Sequence, residues 1–253
     1  MTLAELIAQE ACALTPEEQK AAKAAAAQAA LGLVEGWMTL GLGTGSTVAY
    51  FLEGLGRRIK AEGLAARGVA TSLETERLAL HHGIRLVDEG DVFLLSNHLC
   101  VDGADRIDVR GNLIKGGGGA LLREKLIAYA SKRLCILADG SKLETVLGEG
   151  FPVPVECVPF GIVDTLFRLQ DLGCVPDLRY RGDEPFVTDN GNYIADCSFS
   201  GLPDPALTEW EIKNTPGVVE VGLFVNMVST LIIGRPDGTV AIWPEPTEKP
   251  DEF

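Results

Sequence analysis

Short apolar runs of strand length alternate with longer helix-forming segments along the chain as far as Leu147. Residues 1–14, MTLAELIAQEACAL, read as a short amphipathic helix. Their acidic residues and the lack of a basic stretch distinguish them from a signal peptide. Thr15-Pro16-Glu17-Glu18 starts a second helix: Thr15 can cap it, Pro16 suits its first position, and Glu18 completes a capping box. The Ala-rich run from Gln19 to about Val34 continues that helix, and its small side chains allow close packing. Trp37–Leu42 reads as a buried strand entering a glycine turn, and Thr47–Lys60 as the next helix. Gly68–Ala70, Ile84–Leu86, Leu99–Val101 and Leu134–Ala138 read as strands, with helices at Leu73–His82 and Leu121–Ser131. Strands alternating with helices predict an α/β fold, a mostly parallel Rossmann-like sheet flanked by helices.

The pattern changes after Leu147. GEGFPVPVECVPF, residues 148–160, is Pro-rich and extended. Gly161–Leu172 and Thr208–Lys213 read as helices, and Tyr193–Cys197, Val218–Phe224 and Leu231–Ile233 as strands, with PDGT as a turn. A second, smaller α+β domain of about 70 residues follows from this shift. The expected division is residues 1–147 plus 221–253 for the α/β domain and 148–220 for the small one.

Composition removes several function classes. A net charge of −14 argues against a nucleic-acid partner, since phosphate backbones call for a basic surface. It leaves room for a small anionic ligand held by a few lysines and backbone N–H groups. No apolar run reaches the roughly 18 residues of a membrane span. The six cysteines form no CxxC pair and mostly sit in apolar surroundings, as in a reduced, cytoplasmic protein. His81, His82 and His98 have no zinc-type spacing, so no metal site is expected.

Three segments carry candidate chemistry. In GLGTGSTV, residues 41–48, a strand, a glycine turn and a helix start offer N–H groups and the hydroxyls of Thr44, Ser46 and Thr47 to an anion. No Lys follows the last Gly, so it is not a Walker A loop; the third Gly falls one residue early for a dinucleotide fingerprint. In VDGADRID, residues 101–108, Asp102, Asp105 and Asp108 follow a buried strand, where carboxylates can meet a ligand or cap turns; Asp108, beside the RGN turn, reads as structural. In LIKGGGGALLREK, residues 113–125, Lys115 precedes Gly116–Gly119 and a helix start, so backbone N–H groups can converge on an anion. Glu124 follows in the helix, where dipole complementarity or a surface ion pair would also explain it. Arg123 and Lys125 read as ordinary helix residues. Lys23 and Lys142, taken alone, read as solvated surface lysines.

Together these segments resemble ribose-5-phosphate isomerase of the A type. GLGTGSTV, TSLETE at 71–76, VDGADRID, IKGGGGALLREK, ADGSK, FPVPVE, VTDNGN, PGVVEVGLF and GRPDG occur in the family's order from about Glu18 to Ile242. The resemblance implies a cofactor-free and metal-free aldose–ketose isomerase with Glu124 as catalytic base. It also implies a substrate site made of Thr44, Gly45, Ser46 and Thr47; Asp102, Gly103, Ala104 and Asp105; and Lys115, Gly116, Gly117 and Gly118. Lys23 and Lys142 would bind the phosphate. The family further implies a homodimer or dimer of dimers. Arg106 stands where the family usually has Glu, and could pair with Asp102 or Asp105 or alter the substrate rim. NMVSTLII, residues 226–233, replaces a segment that usually carries Arg and Asp. An isomerase for another phosphorylated or free sugar, or a non-catalytic sugar-phosphate sensor, are the alternatives.

Overall fold

The computed structural model describes residues 1–87 and 98–244. In chain order these form α1 (Leu3–Glu10), α2 (Pro16–Ala30), β1 (Thr39–Leu42), α3 (Ser46–Glu62), β2 (Arg67–Ala70), α4 (Leu73–His81), β3 (Arg85–Leu86), β4 (Leu99–Gly103), β5 (Arg106–Ile107), β6 (Leu113–Ile114), α5 (Leu121–Ala130) and β7 (Arg133–Asp139). The second part holds β8 (Val153–Cys157), α6 (Ile162–Gln170), β9 (Val175–Leu178), β10 (Tyr180–Arg181), β11 (Glu184–Pro185), β12 (Tyr193–Ser198), α7 (Pro205–Lys213) and β13 (Val218–Val221). β14 (Leu223–Phe224), β15 (Thr230–Gly234) and β16 (Val240–Trp243) follow.

Seven strands form the main sheet in the order β16-β15-β7-β4-β1-β2-β3. Every pairing is parallel except that of β16 with β15. From β1 the chain moves outward to β2 and β3, then returns to lay β4 on the other side of β1. The reversal makes a switch point between β1 and β4, and loops leaving their C-terminal ends border a crevice. A separate antiparallel sheet, β13-β8-β12-β9, has its own buried cluster that includes Val153, Val155, Cys157, Ile194's neighbour Ala195, and Val221. Among the described residues, no helix is long and apolar enough to cross a membrane.

The expected elements form with small shifts at their ends, except that the first strand begins only at Thr39 and leaves Trp37 exposed in the turn before it. The helix begun by Thr15 has the full capping box: Glu18 N–H donates to Thr15 Oγ1 at 3.3 Å, and Thr15 N–H donates to Glu18 Oε2 at 2.8 Å. It ends at Ala30, with a single 3₁₀ turn over Leu31–Leu33 taking up the expected remainder. Helix α1 buries Leu3, Leu6 and Ile7 in the main core. It too begins with a capping box, Thr2 with Glu5.

Two expectations need correction. The single strand at Val218–Phe224 is two: β13 joins the small sheet and β14 pairs with β6. The break is at Gly222, where a Cβ would lie 2.3 Å from the Lys115 carbonyl oxygen and 2.7 Å from that of Pro154. Its N–H donates to Pro154 O, while its own carbonyl accepts from Lys115 N–H. One residue thus stitches both sheets together, and only glycine fits. Lys125, read as an ordinary helix residue, is buried. It pairs with Glu209 at 2.6 Å and Glu220 at 3.0 Å, since α5 packs that face on β13.

Candidate active site

The turn after β1 sets the first wall. Thr44 N–H donates to Asp102 Oδ1 at 3.1 Å, tying the β1 loop to β4 across the switch point. The Thr44 hydroxyl does not stand free: Thr71, Ser72 and Thr75 hydroxyls lie 2.7, 2.8 and 3.1 Å from it. Its contribution is therefore to fix the loop. Ser46 begins α3, and its hydroxyl accepts from Lys23 Nζ on α2 at 3.1 Å, so a hydroxyl, a cation and a helix N-terminus meet. Lys142 arrives from the turn after β7, which Asp139 caps by accepting from Ser141 N–H at 3.0 Å. Partial burial holds the Lys142 ammonium below its ordinary range; Asp105 and Asp139 oppose the shift, while Arg106 and Lys23 add to it.

The second wall is the loop after β4. Asp102 is fully buried behind the crevice, and Asp105 Oδ2 accepts from Gly117 N–H at 2.8 Å. A Cβ on Gly117 would lie 2.7 Å from Asp105 Oδ1, so the two loops approach as closely as a bare backbone allows. Asp108 is structural, as its position beside the turn implies. Its carboxylate accepts from Arg110 N–H, Asn112 N–H and the Asn112 amide. Arg106 does not pair with either aspartate carboxylate. Its guanidinium meets Glu144 at 2.5 Å and lies 4.7 Å from the Phe151 ring centroid, with one N–H reaching the Asp105 carbonyl. On the two-residue β5 it points across the strand, away from its acidic neighbours.

Lys115 and Glu124 form the buried centre. The Lys115 ammonium meets Gly103 O at 2.7 Å, Asp102 Oδ2 at 3.0 Å and Glu124 Oε1 at 3.2 Å. The Gly103 carbonyl accepts a hydrogen bond, and the two carboxylates pair with the ammonium by charge. Burial alone would lower its pKa, yet the two carboxylates outweigh that and hold it above the ordinary lysine range. Glu124 is 4% exposed, and burial pushes its pKa up to about 8. Lys115 pulls that value down, and Asp102 and Asp105 push it up. One cation shared by two buried carboxylates leaves an excess of negative charge, which favours keeping a proton. Burial raises Asp102 as well, against Lys115 and the N–H groups of Gly103 and Thr44. Glu124 Oε1 faces the lysine, while Oε2 is buried without a protein hydrogen-bond partner.

These walls border one open cleft. It is lined by Lys23, residues 44–47, 103–105 and 115–118, Glu124 and Lys142. Every residue the sequence nominated meets here except Asp102, which lies directly behind through Lys115. In the sequence, Thr71, Ser72 and Thr75 stand out only as part of the TSLETE run. Arg179, which follows β9 and holds the glycine loop, stands in no motif. Residues 226–229 lie at the opposite end of the sheet: Leu134 and Ser229 exchange hydrogen bonds at the N-terminal end of β7. That segment is therefore no part of the cleft. Among the described residues, no group of three or more His, Cys, Asp or Glu is placed to hold a metal ion.

Fold and cleft define a class: α/β proteins with a compact site for a small anionic molecule at the sheet's switch point. Residues 67–238 match the family model described as ribose 5-phosphate isomerase A (phosphoriboisomerase A). Ribose-5-phosphate isomerase A 1 of Oceanobacillus iheyensis is 45% identical over 220 residues, covering 87% of this chain and 97% of that protein. The solved ribose 5-phosphate isomerase A of Methanocaldococcus jannaschii is 38% identical with a TM-score of 0.81, covering 87% of this chain and 96% of that one. A D-ribose-5-phosphate isomerase in complex with phospho-erythronic acid is 36% identical with a TM-score of 0.82, at the same coverages. The chain belongs to the ribose 5-phosphate isomerase A family.

Proposed function

We propose that the protein interconverts D-ribose 5-phosphate and D-ribulose 5-phosphate through an enediolate, with Glu124 as the base. The observation that carries the reading is the placement of Glu124: one carboxylate oxygen on Lys115, the other without a partner, in a cleft whose other end presents Lys23, Ser46 and Lys142. In the open-chain aldose, Glu124 takes the proton from carbon 2. The C–H electrons form the C1–C2 double bond and the aldehyde oxygen becomes an oxyanion. A proton passes between the two oxygens, and Glu124 returns its proton to carbon 1. One carboxylate serves both steps because the intermediate is planar and presents one face to it. A pKa near 8 suits this work, since a base near operating pH both accepts and returns a proton.

Lys115, paired with both carboxylates, contributes charge: it steadies ionised Glu124 and the negative intermediate. Neighbouring N–H groups of the glycine loop then serve as donors to the oxyanion, that of Gly117 being taken by Asp105. Asp105 faces the sugar hydroxyls, and Asp102 anchors Lys115. Lys23, Ser46 and Lys142 bind the phosphate, giving binding energy remote from the reacting carbons. The ligand of the related isomerase fits this division: phospho-erythronic acid joins a phosphate to a planar carboxylate, much like an enediolate in shape and charge. Arg106, the departure that would favour a different sugar, faces Glu144 and Phe151 and lends that alternative no support.

The reaction in this reading needs no metal, and the family resemblance carries with it a homodimer or dimer of dimers in the cytoplasm. Turnover of ribose 5-phosphate with a chelator present tests the chemistry, alongside tetrose and hexose phosphates. Preferred turnover of another sugar, or tight binding without exchange of the carbon-2 hydrogen, would overturn it. Light scattering on the purified chain tests the assembly.

A further inference from the structure

The glycine loop is held from the small sheet's side by one side chain that lies outside the cleft. Arg179 follows β9, and its backbone is fixed by pairing with Ile194 and Phe186. Its Nη1 donates to the carbonyls of both Gly116 and Gly117, at 2.9 and 3.0 Å. The rest of the guanidinium forks onto Asp196 of β12, with Nε donating to Oδ2 at 2.8 Å and Nη2 donating to Oδ1. The Arg179 side chain is only 16% exposed, and its cation lies 5.8 Å from the Phe186 ring centroid.

The consequence follows from peptide geometry. In a trans peptide the C=O and N–H point in opposite directions. The Gly116–Gly117 peptide illustrates it: its carbonyl faces Arg179, and its N–H reaches Asp105 in the cleft. The Gly117–Gly118 peptide is held by the same Nη1 on its carbonyl. Its N–H therefore also turns to the cleft side, where Gly118 is part of the wall and Arg179 is not. A charged donor on the carbonyl further polarises that N–H.

We propose that Arg179 is a positioning residue for the isomerisation: it grips two carbonyls of the glycine loop so that the Gly118 N–H donates to the substrate's carbonyl oxygen as that oxygen becomes negative. Glycines alone cannot hold such an orientation, since their backbone is the most permissive of any residue. Asp196 holds the guanidinium in its plane, and an ammonium cannot span the same set of partners. The inference rests on the isomerase reading above.

The test compares Arg179→Lys and Arg179→Ala with the wild type, and uses Arg181→Ala as the control. Arg181 lies over the same Phe186 ring, at 5.0 Å, but is given no part in the loop. Wild-type turnover of ribose 5-phosphate is measured first; its absence would overturn the isomerase reading whatever Arg179 does. Removing an oxyanion donor costs about 10²–10³ in kcat, and misaiming one should cost roughly 10–10². Both Arg179 variants should lose kcat by that factor with KM within about threefold of wild type. Inhibition by phospho-erythronic acid should weaken in parallel with kcat, while inhibition by ribitol 5-phosphate, which has no planar oxygen pair, should stay within about threefold. Methylguanidinium should restore part of the activity of Arg179→Ala. Unchanged kcat in folded Arg179→Lys, or equal weakening of both inhibitors, would overturn the proposal. Arg179→Lys keeps the test decisive if the alanine variant does not fold.

Discussion

At the scale of single residues, Glu124 sets stability against chemistry. Its native pKa is raised to about 8, so the folded state holds its proton more tightly than the unfolded chain. The stability this gives is complete below about pH 4, the ordinary carboxylate range, and drains away as pH rises towards 8. Glu124→Gln removes the titration and keeps the shape. We expect it to lose about 10²–10⁴ in kcat, and to gain stability relative to wild type as pH is raised from 5 to 9. Turnover assays with urea melts at the two pH values check both halves; a constant stability difference would contradict the buried-acid account. The acid limb of kcat/KM should likewise sit above the ordinary carboxylate range, towards 8, and Glu124 carboxyl titration by ¹³C NMR of the free enzyme should give the same value. The sequence showed Glu124 only as a candidate, because helix-dipole and ion-pair readings fit the same letters. Its burial, and its partner Lys115 nine residues away, are products of the fold. Arg106 is the converse: adjacency to aspartates suggested pairing, but the strand turned it to Glu144.

At the scale of elements, loops matter more than the strands they join. The strand–helix alternation up to Leu147 was readable because buried parallel strands are near-continuous apolar runs, and α2 because its cap is explicit. The Val218–Phe224 run was not divisible by eye, since both halves are apolar and the break depends on how closely Lys115 and Pro154 approach Gly222. Nor could sequence place α1, whose three apolar residues could have met any surface. In the fold Leu6 is fully buried, and the segment after α1 braces the Lys142 turn through Cys12 N–H and Gly140 O. Leu6→Ala should cost about 2–5 kcal/mol of stability, read by chemical denaturation. Gly117→Ala tests the loop contact itself. Its Cβ would press on Asp105 Oδ1, and displacing the loop by about 1 Å should lower kcat/KM by roughly 10²-fold. Thermal melting should show little change, because Gly117 is exposed at the cleft wall.

At the scale of the whole molecule, a chain of net charge −14 must attract an anion, and local geometry makes that possible. The switch point brings the β1 and β4 loops together, α2 lends Lys23 from outside the sheet, and the turn after β7 lends Lys142. In the proposed mechanism the reacting carbons meet the other end, where Lys115 is already neutralised by Asp102 and Glu124. Positive charge available to a ligand is thus concentrated on the side of Lys23 and Lys142. A charged hydrogen bond contributes about 1.5–3 kcal/mol, so Lys23→Ala and Lys142→Ala should each lower kcat/KM for ribose 5-phosphate by roughly 10- to 100-fold. Neither should alter the slow conversion of unphosphorylated ribose at high enzyme concentration, because the base and the glycine N–H groups are untouched. The two substrates assayed side by side separate a phosphate contact from a general loss of structure. Equal losses on both would place the lysines in the scaffold, and no loss on either would move the phosphate away from this end of the cleft. Because burial depresses the Lys142 ammonium, affinity for the phosphate should also fall on the alkaline side at a lower pH than an exposed lysine would give. Lys142→Arg, which keeps its charge throughout, should push that fall to higher pH, and a KM profile above pH 8 reads the difference.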